Sequence, residues 1–392
     1  MQKHYLILGA GETGFEMAYD LLSRKTTRKV HVMDTNKELV TDLEKRLSSI
    51  GIADARLSTE KADARDVKYL RKKAEDASVI FSCLPYFCNL YVTEVAIEQG
   101  KIMCDLGGNN TIVDHQFEMD EEAAYNKARI FPACGIAPGA ASIVAMDGIT
   151  RMGGPDNVDS VHVYCGGLPT EPQGILNYKE VFSIEGLFNE LREPCEVIYE
   201  FGLKYVAPMT GIERVELYEP FNCLQAAHTS GGLGRTINNF EGKIREMWYK
   251  TLRYNGHWEI MKSLFDLGYL SKEKQGCVAS PAEISKELIG RDIRYESDDV
   301  ILARWVINGI PKDGKQKIIQ YDLINFGDQR NGRSAMQVMT SDSASAVGLI
   351  AESGKIPRYG VISQDEVPTK SFLKQWTRRR IWCQRRETNI KY

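Results

Sequence analysis

The sequence predicts an α/β protein, a doubly wound parallel sheet with an inserted α+β region. Three observations predict it. The first 34 residues read as apolar strand, glycine turn, helix and second strand. The strand–helix alternation continues to about residue 135. From about residue 155 it gives way to short alternating runs of the kind that pair antiparallel.

The opening segment carries the most chemistry. Tyr5–Leu8 is short and apolar enough for a buried strand, and Gly9-Ala10-Gly11-Glu12-Thr13-Gly14 spells G-x-G-x-x-G ahead of a helical pattern, Phe15–Ser23. Gly9 allows the tight turn, Gly11 lets the backbone approach a pyrophosphate, and Gly14 lets the helix lie close to the strand. The amides of Glu12 and Thr13 open the helix, whose positive end suits that anion. Val30–Met33 reads as the second strand and ends at Asp34, about twenty residues past the last glycine, where a carboxylate accepts the ribose hydroxyls. It would repel a 2′-phosphate, and Thr35 and Asn36 offer no arginine to bind one, so NAD is expected rather than NADP. This is a Rossmann-type pattern.

The remaining elements follow the same rhythm. Lys37–Ser48, Asp66–Ala74 and Asn89–Gln99 are helical stretches, and Val79–Cys83, Ile102–Asp105 and Ile130–Ala133 are strands. Such sheets bind ligands beyond the C-terminal strand ends. Leu84, Pro85 and Tyr86 are therefore expected at the cofactor, with Tyr86 and Phe87 walling the nicotinamide and Asn89 capping the next helix. Asp105, beside Gly107, Gly108, Asn109 and Asn110, is expected to hold a substrate ammonium or accept a proton, unless it caps the following helix. Asn109 and Gly135 are expected at the substrate. Cys134 reads as a buried, inert thiol more readily than as a redox group.

In the second region, Ser160–Cys165, Glu196–Phe201, Leu203–Ala207 and Ile212–Leu217 read as an antiparallel sheet broken by loops at Gly166–Pro169 and Glu219–Phe221. Val300–Ile310 and Gln316–Phe326 flank the turn sequence Pro311-Lys312-Asp313-Gly314. Ala344–Glu352 is helical again. The expected division is 1–145 for the nucleotide domain, 146–335 for the α+β domain, and 336–392 returning to the first. The Arg378–Arg380 run and Arg385-Arg386, with Trp376 and Trp382, read as a solvated terminus in preference to an anion or nucleic-acid patch.

Composition bounds the function. The chain has 392 residues, 43% hydrophobic and 26% charged, with net charge −3. Nothing there points to nucleic acid or an anionic membrane surface. No apolar run approaches the roughly twenty residues that span a bilayer. The first strand begins at once, without a signal-peptide pattern. Nine cysteines form no C-x-x-C pair, which fits reduced thiols in a cytoplasm. No His/Cys cluster has metal spacing, so no metal is expected.

Three polar segments of the second region are candidates for chemistry: Asn177-Tyr178-Lys179, His228-Thr229-Ser230-Gly231-Gly232, and Lys250 through Trp258. Arg253 offers a bidentate fork for a carboxylate, helped by Thr229 and Ser230. Tyr178, Lys179, His228 and His257 are acid/base or orienting candidates.

Together these segments resemble the saccharopine dehydrogenase-like superfamily, nearest its lysine 6-dehydrogenase branch. ILGAGETG, SCLPYFCN, CDLGGNN, CGIAPGAA, YCGGLP, LNYKEVFSIEGLFNE, HTSGG and KTLRYNGHWE carry the resemblance, in the family's order, from residue 7 to about 270. It implies a Rossmann domain, an inserted domain that binds substrate and mediates homodimerisation, and NAD(P)-dependent hydride transfer at an amine-bearing carbon. Glu366 through Leu373 also looks family-like, but the arginine-rich end departs from the pattern. The saccharopine-forming branch has a pattern like G-L-D-P-G-x-D-H where this chain has Gly135-Ile136-Ala137-Pro138-Gly139-Ala140-Ala141-Ser142. Ala137 replaces the acid. The resemblance thus implies oxidative deamination of the ε-amine of L-lysine, with His228 as first and Asp105 as second choice of base and Arg253 on the α-carboxylate. The alternatives are a superfamily reductase acting on saccharopine or a carboxyalkyl polyamine, and a non-catalytic NAD-binding protein.

Overall fold

A computed structural model describes residues 3–390 except 275 and 277. In chain order the first elements are β1 (His4–Leu8), α1 (Glu12–Leu22), β2 (Lys29–Asp34), α2 (Lys37–Ser49), β3 (Leu57–Lys61), α3 (Val67–Ala74), β4 (Val79–Ser82), α4 (Asn89–Glu98), β5 (Ile102–Asp105), α5 (Asn110–Glu118), α6 (Asp120–Tyr125), β6 (Arg129–Phe131) and α7 (Ala141–Met152). There follow β7 (Val158–Pro169), α8 (Ile184–Glu190), β8 (Cys195–Tyr199), β9 (Gly202–Val206), β10 (Glu213–Val215), β11 (Leu224–His228), β12 (Glu246–Tyr254), α9 (His257–Asp266), α10 (Pro281–Asp292), β13 (Asp299–Gly309) and β14 (Lys317–Asn325). The chain closes with α11 (Ala335–Glu352), β15 (Gly360–Val361), α12 (Thr369–Arg378) and β16 (Cys383–Asn389).

The chain forms two compact units. The first comprises residues up to Ile143, Arg330–Arg333 and Gln337–Ile381. Its seven strands run in the order β15-β6-β5-β4-β1-β2-β3, and every neighbouring pair is parallel. The sheet is buried on both faces, as parallel sheets are. Leu6, Leu8, Ile80, Met103 and Ile130 pack with Val92 and Val95 of α4. On α1, Glu16 and Asp20 are buried among apolar neighbours. Arg333 pairs with Glu16, and Arg379 donates to Asp20 at 2.8 Å. Burial of unpaired charge is costly, so these arginines are what allow the acids there.

The second unit comprises Val144–Gln329, Ser334–Met336 and the stretch from Trp382. Its sheet runs β10-β11-β12-β7-β13-β14-β16, with β8 pairing β12 and β9. It is mixed, which corrects the purely antiparallel expectation, because β12 and β7 are parallel. β7 also continues through Gly166 and Gly167 to Pro169, where a loop was expected. Gly166 explains the continuity: a Cβ there would stand 2.5 Å from the Leu252 carbonyl oxygen, so the glycine permits close strand packing. The tail differs from expectation as well. Cys383–Asn389 pairs antiparallel with β14, so the arginine-rich end is a strand of the second unit. Arg386 lies over the Tyr218 ring at 5.2 Å. Among the described residues no helix is long and apolar enough to cross a membrane.

Candidate functional site

The turn after β1 is built as a cradle. Gly9 has φ +103, and a Cβ on it would meet the Cys83 carbonyl oxygen at 2.7 Å. A Cβ on Gly14 would stand 2.0 Å from the Gly9 carbonyl oxygen. Both glycines are therefore required by the protein's own packing. Gly11 is different: a Cβ on it would meet nothing within 4 Å. Gly11 begins α1 without any side-chain cap. The open space beside an uncapped helix N-terminus has room for a pyrophosphate that a side chain would crowd. Glu12 itself is committed elsewhere, to Arg46 at 2.9 Å and to Gln337. Thr13 is anchored by its carbonyl, which accepts from Ser341 Oγ at 2.9 Å.

Asp34 closes β2 beside this turn. One carboxylate oxygen accepts from Ala10 N and the other from Asn36 N, each at 2.8 Å. Each oxygen keeps a further lone pair, so the carboxylate is oriented and still able to accept ribose hydroxyls. After β4, Leu84 is partly buried and Pro85 exposed, and the Tyr86 ring lies against Gly108, where a Cβ would meet it at 3.4 Å. Phe87 is exposed. Asn89 does not cap α4; its Oδ1 accepts from Ser82 Oγ at 2.8 Å inside the unit.

Asp105 is a correction. It is fully buried and accepts from Gly107 N at 2.8 Å, Ala133 N at 2.9 Å and Gln116 Nε2 at 2.8 Å. Burial raises its pKa, against those donors. It braces two loops and has no exposed surface for a substrate, nor does it cap the next helix. Asn109 takes that role, its side chain accepting from Ile112 N at 3.1 Å. Gly135 is buried, and a Cβ there would meet the Pro138 carbonyl at 3.3 Å. The Cys134 thiol is buried and donates to the Phe131 carbonyl at 3.3 Å, and the eight described cysteines are all free.

In the second unit, strand alternation sorts the candidates. β12 sends Glu246, Trp248 and Lys250 to one face of the sheet and Tyr249, Thr251 and Arg253 to the other. His228 lies opposite Lys250 on β11, and His162 opposite Trp248 on β7. His228, His162 and Lys250 thus share the Trp248 face, with the His162 and Trp248 rings stacked at 4.0 Å. His228 Nδ1 donates to the Tyr249 carbonyl at 3.2 Å, which leaves Nε2 to accept from Tyr199 Oη at 3.3 Å. Burial and Lys250 hold its pKa down, to about 4.

Arg253 is on the opposite face. This corrects the expectation that one small substrate meets both His228 and Arg253. The guanidinium is buried, 4.6 Å over the Tyr178 ring and 5.8 Å over Trp258. Nη1 donates to the Leu252 carbonyl at 2.9 Å, and Nη2 stands 3.8 Å from Glu190 Oε2. On the same face, Thr229 and Thr251 share a hydrogen bond of 2.6 Å, and Ser230 N donates to the Glu190 carbonyl at 3.1 Å. His257 is buried; its Nδ1 donates to the Leu176 carbonyl at 2.9 Å, and burial pushes its pKa down to about 3. Lys179 turns away and donates to the Ser297 carbonyl. Tyr178 is a buried platform under Arg253 rather than a reachable acid.

Sequence reasoning missed Glu190. Burial raises its pKa to about 7, against the pull of Arg253. The signal was present: Glu190 falls three residues after Leu187 and one before Leu191, an acid on the buried stripe of a helix. Among the described residues no group of three or more His, Cys, Asp or Glu has metal-binding geometry.

The comparisons bear on this arrangement. Residues 5–130 match the model described as saccharopine dehydrogenase NADP binding domain, and residues 135–381 the saccharopine dehydrogenase C-terminal domain. A Schizosaccharomyces pombe saccharopine dehydrogenase (NADP(+), L-glutamate-forming) is 28% identical over 278 residues, 66% of this chain and 59% of that protein. An Arabidopsis thaliana alpha-aminoadipic semialdehyde synthase is 24% identical over 80% of this chain and 31% of that protein. The chain therefore spans less than two thirds of the length of each of these relatives. Apo saccharopine dehydrogenase (L-Glu forming) from Saccharomyces cerevisiae shares the fold, with TM-score 0.80 at 17% identity over 99% of this chain and 100% of that one. So does the homospermidine synthase of Legionella pneumophila solved with NAD, with TM-score 0.68 at 11% identity over 100% of this chain and 92% of that one. With both domain models matched in order, and the second covering more than half of its residues, the chain belongs to the saccharopine dehydrogenase family.

Proposed function

We propose that the chain is an NAD-dependent oxidoreductase that oxidises the ε-amine of free L-lysine. The products are the 6-semialdehyde, which closes on its own α-amine to a piperideine carboxylate, and ammonia. Support for a nicotinamide cofactor comes from the Gly11 cradle and the matched nucleotide-binding model. Asp34 supports NAD over NADP, because its fixed carboxylate would face the 2′-phosphate. The observation that carries the choice of substrate is Ala137, a methyl group where the saccharopine-forming pattern has an acid. It suits an alkyl chain with a free ω-amine.

The nicotinamide ring, when bound, accepts the hydride. The ε-ammonium first gives its proton to water, because only the neutral amine has the lone pair that forms the C=N bond as the C6–H electron pair leaves. Water then adds to the iminium, and the C–N bond breaks to release ammonia. Within this reading Arg253 receives the α-carboxylate, and Thr229, Thr251 and Ser230 line its face. Placement and electrostatics are what the protein contributes. The second reading, oxidation of saccharopine, is favoured by the names of the relatives.

A screen for amine-dependent NADH formation with lysine, saccharopine and ornithine, with assay of the nitrogen product, tests the proposal. One ammonia per NADH with lysine is expected. Saccharopine turnover that yields glutamate, with lysine inert, overturns it in favour of the second reading. No turnover with any amine would leave a non-catalytic nucleotide-binding protein.

A further inference from the structure

Four buried polar atoms without a hydrogen-bond partner gather on the Arg253 face of the second unit: Tyr178 Oη, Glu190 Oε2, Arg253 Nε and His257 Nε2. They are one neighbourhood. Arg253 lies 4.6 Å over the Tyr178 ring, Tyr178 meets the His257 ring at 5.5 Å, and Glu190 Oε2 stands 3.8 Å from Arg253 Nη2. A buried group left unpaired costs about 1–3 kcal/mol, so such a cluster marks a place that something else completes.

Glu190 and Arg253 stand at its centre. Their nearest atoms are 3.8 Å apart, beyond the roughly 2.7–2.9 Å of a closed charge-assisted hydrogen bond. Each keeps an orphan atom of its own sign: an acceptor on Glu190 and a donor on Arg253. The Glu190 side chain as a whole is 27% exposed, although Oε2 itself is buried, and the Arg253 side chain is 2% exposed. A zwitterion that bears an ammonium and a carboxylate on one carbon satisfies both with matching charge.

We propose that Glu190 and Arg253 form a headgroup site for an α-amino acid, the guanidinium holding its carboxylate and Glu190 its α-ammonium. This rests on the reading of Arg253 as the carboxylate group, and adds the residue that reads the α-amine. It separates amino acids from simple alkylamines and ω-amino carboxylates. An ammonium on Oε2 stabilises a carboxylate that burial otherwise disfavours, and a carboxylate supplies the acceptor that Nε lacks.

The test uses the whole protein and two pairs of probes. L-Norleucine and hexanoate report binding by calorimetry, free of any reaction. L-Lysine and 6-aminohexanoate, with NAD, report turnover. The expected result is that norleucine binds about 10- to 100-fold more tightly than hexanoate, the scale of one charge-assisted hydrogen bond. Glu190→Gln, similar in shape and uncharged, should remove that gap and lower kcat/KM for lysine while sparing 6-aminohexanoate. Glu190→Asp, which keeps the charge, should retain part of the preference. If Glu190→Gln does not fold, the wild-type probe pair and Glu190→Asp decide. Equal binding of norleucine and hexanoate, or no binding of either, overturns the site. An unchanged lysine to 6-aminohexanoate ratio in folded Glu190→Gln overturns it too, while lysine oxidation would stand. Glu190-dependent norleucine binding without amine oxidation would instead keep the site and remove the proposed reaction.

Discussion

Gly11→Ala and Gly14→Ala make opposite predictions from one short segment. At Gly11 the added methyl meets no protein atom within 4 Å. The backbone there has φ −71 and ψ −166, which alanine adopts without strain. Alanine is a poorer helix N-cap than glycine by about 1 kcal/mol, and it offsets about 0.4–1 kcal/mol of that by restricting the unfolded chain. Gly11→Ala should therefore fold with a Tm within a few degrees of wild type. The methyl does occupy the space in which a pyrophosphate would sit. Overpacking of about 1–3 kcal/mol corresponds to roughly a 5- to 150-fold weaker Kd for NADH. At Gly14 the methyl would lie 2.0 Å from the Gly9 carbonyl oxygen, and backbone cannot swing aside as a side chain can. Gly14→Ala should lose stability on that same scale or more, with α1 displaced from β1. Differential scanning calorimetry and an NADH fluorescence titration read the two effects separately. A folded Gly11→Ala protein that binds NADH as wild type does would refute the cradle.

Asp34→Ala should weaken NAD binding by about 1–3 kcal/mol and raise relative use of NADP, measured as the ratio of kcat/KM for the two cofactors; a wild type that prefers NADP contradicts the placement. Arg253→Lys keeps charge but loses the planar fork, so KM for lysine should rise while Kd for NAD holds; instability with both ligands affected would show a purely structural arginine. Glu190 titrates near 7, so KM for lysine should fall as pH rises through about 7 and the carboxylate forms. The sign for stability is the reverse: a carboxyl raised from 4.5 in the unfolded chain to about 7 lowers stability as pH climbs through that interval, which thermal melts across the range would detect. Arg379→Ala removes the 2.8 Å partner of the buried Asp20 but leaves Arg24 at 3.0 Å, so it should cost about 1.5–3 kcal/mol in urea unfolding. A change under about 0.5 kcal/mol would show the pair to be neutral.

The first unit was legible because its signals are local. A strand, G-x-G-x-x-G, a helix and an acid are set by spacing, and β1, α1, β2 and α2 fall within three residues of the expected bounds at each end. β3 escaped notice because Leu57–Lys61 is short, polar and at the sheet edge, with little apolar pattern to read. α11 begins at Ala335, nine residues before the expected Ala344, because its buried serines and Asp342 interrupt the apolar periodicity. The second unit was less legible for a different reason. β12 carries polar residues on both faces, so its sequence does not show which of them converge. Only the register, with His228 opposite Lys250, assigns His228 and Arg253 to different faces. Asp105 misled because a buried brace and an exposed catalytic acid look alike at a strand end. Glu190 was passed over because its partner, Arg253, is 63 residues away in sequence.

The most direct measurement is transfer of label from L-lysine deuterated at C6 to the nicotinamide, followed by mass spectrometry of the reduced cofactor alongside an ammonia assay. The account predicts deuterium in the reduced cofactor, one ammonia per cofactor reduced, and no need for 2-oxoglutarate in the reverse direction. Reduced cofactor that forms only from saccharopine, with glutamate released and no label taken from free lysine, would contradict it.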